Sequence, residues 1–436
     1  MPLTSHAADA FGARCAFIHR TNRSHMSTTS AETPAAAADR AGLPLMPLLV
    51  ANFTMMAGNY AFVAIAAPLA RMLHLQASHI GAAIAVVGVV WIATARRWGR
   101  AADVRGRVPV MRAAITGFVA FYLLLACYVW WALRDGAHAV PALALNLAAL
   151  FVARAAMGGC FAGLPVAATA WIADRTAPQR RAATMARFGA AGAIGMVIAP
   201  PLAGWIGRFD LAAMLAVFAL LPLMGLPGLG RLDDARPREV RGAPPRLRMT
   251  DARIRMPWLS AMALYSVIAI ANSALGFYVI DQLRVDAQRA AVVVGYALGC
   301  AGLGLIAMQS AVARLPRVAP LQWLRWGALA SAAGFASVLL VEPAQPMVVC
   351  AGYLVAAFGM GASFPAVSAL ASAAVDAREQ GACAGTMSAA QGLSMIVAPL
   401  VGTALYDWRP QAPFALIGVL LLLVFCATWR RAAAKR

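Results

Sequence analysis

Charge is scarce in this sequence, and negative charge scarcer still. Only 12% of the 436 residues are charged, and just seventeen of them are acids, where an ordinary soluble domain is about a quarter charged. With 62% hydrophobic residues and a mean hydropathy of +0.71, the chain cannot cover itself with a solvated surface, so a water-soluble globular protein is excluded. None of the acids falls in the middle of an apolar run, and the six histidines lie in the N-terminal tail or near run ends. The apolar segments therefore hold no His/Asp/Glu cluster for metal binding or acid–base chemistry, which places an enzyme last among the readings and predicts no metal and no cofactor. The seven cysteines (Cys15, Cys127, Cys160, Cys300, Cys350, Cys383, Cys426) are scattered without a CxxC pair. That argues against both a disulfide framework and a zinc site, and they read as small core residues.

Long apolar runs are what the chain has in abundance. A membrane-spanning helix needs about 20 such residues, and twelve runs qualify: 43–70, 79–95, 108–133, 139–172, 184–207, 211–229, 257–283, 290–313, 321–341, 345–375, 383–406 and 411–429. The expected fold is all-α and polytopic, set in a lipid bilayer. Residues 1–42 are polar, rich in Ala, Ser and Thr, and lack the continuous apolar core of a secretory signal. They read as a disordered cytoplasmic tail, with Met26 as an alternative start.

A net charge of +20 could suggest nucleic acid, but the arginines punctuate lipid-length runs instead of clustering on a solvated face, so no nucleic-acid partner is expected. Short cytoplasmic connections collect Lys and Arg. With the N-terminus in the cytoplasm, 30 of the 37 cations fall on that side and six on the other, leaving Arg154 inside a span. This bias predicts both termini in the cytoplasm of a bacterial-type inner membrane and an even number of spans. The densest stretch, RRWGRAADVRGRVPVMR at 96–112, holds six arginines and reads as a cytoplasmic loop between the second and third helices.

The chain also repeats itself. Residues 165–207 parallel 365–407, with MVIAP facing MIVAP; Asn59 to Arg71 weakly matches Asn272 to Arg284, and 107–117 echoes 317–327. Two pseudo-symmetric six-helix bundles follow, 43–229 and 257–430, joined by a basic, proline-containing cytoplasmic linker at 230–256 and followed by a tail at 431–436.

In this context GRAADVRGR (99–107) resembles the loop signature of the major facilitator superfamily, in its twelve-helix drug and metabolite exporter branch. Gly99, Asp103, Gly106 and Arg107 match, while Val104 and Val108 stand where the family often has Arg and Lys. The glycines permit a tight turn, and an acid beside a helix start suits the helix dipole. The resemblance implies that Asp103 and Arg107 latch the halves together on the cytoplasmic side when the cavity opens outward; the plainer reading is a topological anchor. ARAAMGGCFAG (153–163) is similar to the family's Arg-xxx-Gly-xxx-small pattern through Arg154, Gly158 and Ala162. Two roles stay open for Arg154: hydrogen-bonded to backbone or to Asn52 or Asn59 as a structural and gating element, or a counter-charge for an anionic substrate or part of a proton relay. GMVIAPPLAG (195–204) resembles the antiporter signature, and SMIVAPLVGT (394–403) repeats it. Gly195, Pro200 and Pro399 therefore also read as parts of pseudo-symmetric hinges.

Transport sites form near the midplane between repeats. Asn52, Met56 and Asn59 share a face of the first helix, Tyr265 and Asn272 of the seventh, and Met387, Gln391 and Met395 of the eleventh. Polar groups beside Met and aromatic neighbours suit an amphipathic organic ligand. For proton coupling the nearest candidate is Asp281, near the outer end of the seventh helix, with a solvated helix-end acid as the plainer reading. The expected function is secondary active export of a small amphipathic drug or metabolite by alternating access, coupled to protons and carried out by a monomer. A facilitator or importer of an anionic metabolite, or a siderophore-type exporter, is the alternative on the same fold.

Overall fold

A computed structural model of the chain describes residues 44–134, 140–234, 247, 251–315, 317–340, 345–376 and 379–433. The predicted tail at 1–42 lies outside them, as does most of the linker. All regular structure among the described residues is helical.

The first half contains α1 (Met46–Met72), α2 (Ala77–Arg105), α3 (Arg107–Leu133), α4 (Leu143–Arg175), α5 (Pro178–Gly207) and α6 (Leu211–Leu229). The second contains α7 (Arg255–Gln282), α8 (Ala287–Arg314), α9 (Pro320–Leu339), α10 (Pro346–Ser372), α11 (Gln380–Trp408) and α12 (Ala412–Ala433). Local chemistry sets many of the starts. Proline opens α1, α5, α9 and α10, where its missing N–H costs nothing. Asp210 caps α6 by accepting from the N–H groups of Ala212 and Ala213, and Asp286 caps α8 at Arg289.

Eleven of these helices are long and apolar enough to cross a membrane. The other, α9, has 20 residues, enough for about 30 Å of helix, but Gln322, Arg325, Ser331 and Ser337 dilute its hydropathy. Arg325 is provided for by α12: it stacks over Trp429 at 4.8 Å and donates to the Thr428 carbonyl at 3.3 Å.

Helix packing repeats between the halves. α1 lies on α5 as α7 lies on α11; α2 on α4 as α8 on α10; α3 on α4 and α6 as α9 on α10 and α12. The halves meet through the reciprocal pairs α5 with α8 and α2 with α11, and along α1 with α7 and α8. Small residues let these backbones approach, because lipid offers no hydrophobic drive for helix association. Large side chains such as Phe62, Phe118 and Phe277 fill the interior, whereas Leu124, Val152 and Leu303 face outward as lipid-facing residues do. Of the cysteines, Cys350 and Cys383 are buried as expected for core residues, but Cys127 and Cys426 sit on the outer surface.

Several expected boundaries move. Residues 96–105 are not a loop: α2 continues through them for 29 residues, about 44 Å at 1.5 Å per residue, so its arginine-rich end outruns a hydrocarbon layer of about 30 Å. Arginine is a good helix former, and only Gly106, at φ +98°, separates α2 from α3. The fourth helix divides at Ala162 into Leu143–Phe161 and Gly163–Arg175, with Pro165 at the start of the second piece. The sixth contains a 3-10 turn at Leu221–Gly225 around Pro222. Finally, α7 begins at Arg255 instead of 257, and α12 runs through Ala433, into the predicted tail.

Candidate functional site

A central cavity of about 540 Å³ lies between the halves, within the size range that holds drug-sized ligands. α1 contributes Asn59, Tyr60 and Val63, α4 contributes Arg154, and α5 contributes Met196. From the second half come Tyr265, Ile268 and Asn272 of α7, Phe364 of α10, and Gln391 and Met395 of α11. Tyr265 and Phe364 stack with ring centroids 5.0 Å apart. A second cavity, of about 260 Å³, shares Tyr265, Ser368 and Gln391 with the first and follows the opening turns of α11 from Gln380 to Met387.

Of the residues expected on the wall, Asn59, Arg154, Tyr265, Asn272, Gln391 and Met395 come together there, and Met387 lines the adjoining cavity. Asn52 and Met56 do not reach the cavity. The Asn52 amide donates to the Phe188 carbonyl at 2.7 Å, and both side chains press on Gly192 of α5. The three α1 residues do share a face, but Asn52 and Asn59 are seven residues apart, about 10 Å along the axis. α5 covers that face at one depth and leaves it open at the other.

Arg154 is buried to 4% exposure. Its Nε and Nη1 have no hydrogen-bond partner, so the expected bonds to Asn52 or Asn59 are not made at those nitrogens. The guanidinium carbon sits 4.3 Å from the centre of the Phe62 ring. A cation near the bilayer centre costs at least about 2.5 kcal/mol, and stacking on a desolvated ring offsets about 2 kcal/mol. An unpaired buried charge costs more, about 3–5 kcal/mol when its partner is removed, so Phe62 alone does not balance it.

Two prolines mark the places where the halves touch. A Cβ on Gly295 of α8 would come within 2.7 Å of the Pro200 carbonyl of α5. Likewise, a Cβ on Gly81 of α2 would lie 2.6 Å from the Pro399 carbonyl of α11, and it would collide with Thr403. Gly195 packs on the α1 backbone at Phe53, and Gly158 on the α2 backbone at Val87; both allow close packing inside the first half.

One end of the bundle is shut by bonds between the halves. Arg71, at the end of α1, pairs with Asp281 of α7, which also accepts from the Tyr406 hydroxyl at 2.9 Å. Asp281 is thus a partly exposed member of an ion pair. Nearby, Asp407 of α11 accepts from the N–H groups of Ala77 and Ser78 at 3.2 and 2.9 Å, capping α2 from the opposite half.

At the other end, the ionic contacts described for Arg107 and Arg253 each stay within one half. Arg107, buried to 7% exposure, pairs with Asp103 and with Asp174 of α4. Asp103 lies in the last turn of α2, so it does not serve the start of a helix as expected. That role belongs to Asp234, which accepts from the N–H groups of Arg107 and Val108 at 2.7 and 3.2 Å. It lies so close over Gly106 that any Cβ there would collide with it. Gly99 has only ordinary contact with Val166 and makes no turn. Sequence reasoning missed Asp174 and Asp234; the signal available was a pair of adjacent acids, Asp233 and Asp234, opening an otherwise basic linker. In the second half, Arg253 bridges Asp251 and Glu379 at 2.9 Å each. Hydrogen bonds from Arg253 hold both carboxyls below the usual carboxylate range.

Sequence comparison fits this architecture: the Major Facilitator Superfamily model matches residues 48–349 and 317–436. The chain belongs to the Major Facilitator Superfamily. Among curated proteins, this superfamily member is 28% identical over 368 residues to the class G tetracycline resistance protein of Vibrio anguillarum, covering 81% of this chain and 88% of that one. It is 27% identical over 380 residues to the class C tetracycline resistance protein of Escherichia coli, covering 83% and 89%. Among solved structures, a bacterial homologue of the human lysosomal transporter Spinster, inward-facing and unoccupied, superimposes with a TM-score of 0.63 at 14% identity, covering 91% of this chain and 94% of that one. The chain is a multi-pass membrane transporter of this superfamily.

Proposed function

We propose that this transporter exports small amphipathic organic molecules from the cytoplasm by alternating access, with residues 43–229 and 257–430 as the two moving bodies. The observation that carries the reading is the central cavity, walled by both halves and shut at one end by Arg71–Asp281 and by Asp407 on α2. Its wall mixes apolar, aromatic and amide side chains, the surface an amphipathic compound needs. The curated relatives are tetracycline resistance proteins, and a transporter confers resistance by moving the compound out. The arginine bias supports an inner-membrane orientation with both termini and the linker in the cytoplasm. In that orientation the shut end is the outer one, and the conformation is inward-facing.

Pro200 against Gly295 and Pro399 against Gly81 act as the paired pivots. Asp281 is the coupling candidate: protonation would cancel its charge opposite Arg71 and release the outer closure. Asp103 latches in the outward-facing state, when its end of the bundle closes.

The test is accumulation of tetracycline in cells stripped of their own exporters. The chain should lower accumulation relative to empty vector, and dissipating the proton gradient should restore it. Unchanged accumulation of tetracycline and of a panel of amphipathic dyes sinks the export reading.

A further inference from the structure

The Arg154 guanidinium is a fixed charge without a carboxylate to answer it. It is 96% buried, it lines the central cavity, and its Nε and Nη1 donate to nothing. Its described surroundings hold aromatic rings and hydroxyls, including Tyr60 and Tyr265 on the same wall. Phe62 covers one face of the guanidinium plane. Tyr122 of α3 lies within electrostatic range, but its hydroxyl is itself buried and without a partner. Among the described residues no Asp, Glu or His lines the cavity; its other polar groups are neutral amides and hydroxyls, among them Asn59, Asn272 and Gln391.

An arginine cannot pass its proton on at any accessible pH, so it is not a relay by itself, and there is no acid on the wall to exchange with. What a guanidinium does offer is a planar fork of N–H donors matched to carboxylates, sulfonates and phosphates. Phe62 takes one face of that fork, and Nε and Nη1 are closed off from water with their donors unused.

We propose that the cavity selects amphipathic organic anions: an acidic group meets Arg154, and an apolar or aromatic body lies against the Tyr265–Phe364 pair with Met196 and Ile268 beside it. The anion supplies the missing counter-charge, so the loaded cavity is close to neutral and the empty one is not. Cationic amphiphiles meet a like charge with nothing to offset it. This assignment rests on the cavity being the transport site proposed above.

A matched pair of dyes tests it. Fluorescein and rhodamine 123 share a xanthene body and differ in the sign of their charge at neutral pH. Binding of each to the purified full-length chain in detergent is read by fluorescence polarisation. Wild type should bind fluorescein roughly tenfold or more tightly than rhodamine 123, the size expected of a charge-assisted hydrogen bond. Arg154→Gln should erase the preference, weakening fluorescein by a similar factor and leaving rhodamine 123 unchanged or tighter. Arg154→Lys should keep the preference at lower affinity. Wild type that binds both dyes alike, favours rhodamine 123 or binds neither overturns the assignment, as does an Arg154→Gln variant that weakens both dyes equally. If Arg154→Gln does not fold, the wild-type preference and Arg154→Lys decide. Vesicle transport separates this from the export reading. Outward movement of rhodamine 123 or tetracycline without fluorescein binding sinks only the anion preference. Fluorescein binding with no export of any compound sinks the export reading.

Discussion

The two ends of the bundle use the same residue types and wire them differently. At the α1–α2 turn, an acid of one half meets a cation or helix start of the other: Asp281 with Arg71, and Asp407 with the first N–H groups of α2. At the α2–α3 joint, Asp103, Asp174 and Asp234 all serve Arg107 and its backbone inside the first half. Asp251 and Glu379 serve Arg253 inside the second. The ionic contacts described at the first end thus join the halves, and those described at the second lie within one half or the other. Helix packing follows the same division. Gly81 and Gly295 allow backbone contact between halves towards the shut end, whereas a Cβ on Gly385, in the second turn of α11, would meet nothing within 4 Å.

The sharpest way to break this contrast is to overfill one end and not the other. Gly81→Val drives a branched side chain into the Pro399 carbonyl and Thr403 and should cost about 3 kcal/mol or more of the packing between α2 and α11. Export should fall to background, with membrane insertion, read by detergent-solubilised yield, retained. Gly385→Ala should leave export unchanged and raise stability slightly, because Ala favours a helix over Gly by about 1 kcal/mol. Equal damage from both substitutions would erase the distinction between the ends.

A smaller effect is expected from the ion pair. Arg71 and Asp281 keep 36% and 29% side-chain exposure, so solvent screening limits their pair to about 1 kcal/mol, roughly a fivefold shift between states. Asp281→Asn should raise labelling of an engineered cysteine at Asn272 from the outer side by about that factor. The double exchange Arg71→Asp with Asp281→Arg should restore it. Unaltered labelling in Asp281→Asn means the backbone contacts hold that end alone.

The smallest effect is a pH dependence at the opposite end. Carboxylates held below their ordinary range contribute stability above the unfolded-state value of about 4 and lose it as pH falls through the folded-state value. The Tm difference between wild type and Arg253→Gln, small at neutral pH because all three groups are near solvent, should therefore shrink as pH drops below about 4. A difference that stays constant or widens in acid contradicts the proposed role of Asp251 and Glu379.

How legible this was in the sequence depended on what each feature needed. The twelve runs, the repeat and the even helix count follow from periodicity and apolar length, which are local. Asn59 and Asn272 lie on the cavity wall as matched positions of the repeat, and Gln391 through helical spacing. Depth was not legible: spacing gives a shared face, but only the packing of α5 separates Asn52 and Met56 from Asn59. The continuation of α2 through 96–105 was hidden because charge was read as an end to the helix, although arginine favours helix once a segment has left the lipid. Phe62 beneath Arg154, and Asp234 at the head of α3, are contacts between segments 92 and 127 residues apart, and no local pattern carries them.

The segment joining the halves is fastened at both of its ends. Asp234 is seated on the α2–α3 joint, and the Leu247 carbonyl accepts from Thr386 while its side chain packs near Ile254 and Cys383. Only residues 235–246 remain between these anchorages. Thirteen peptide steps separate the two anchorages, and these can reach roughly 45 Å at full stretch. A protease cut within it would leave each half with its own anchorage intact.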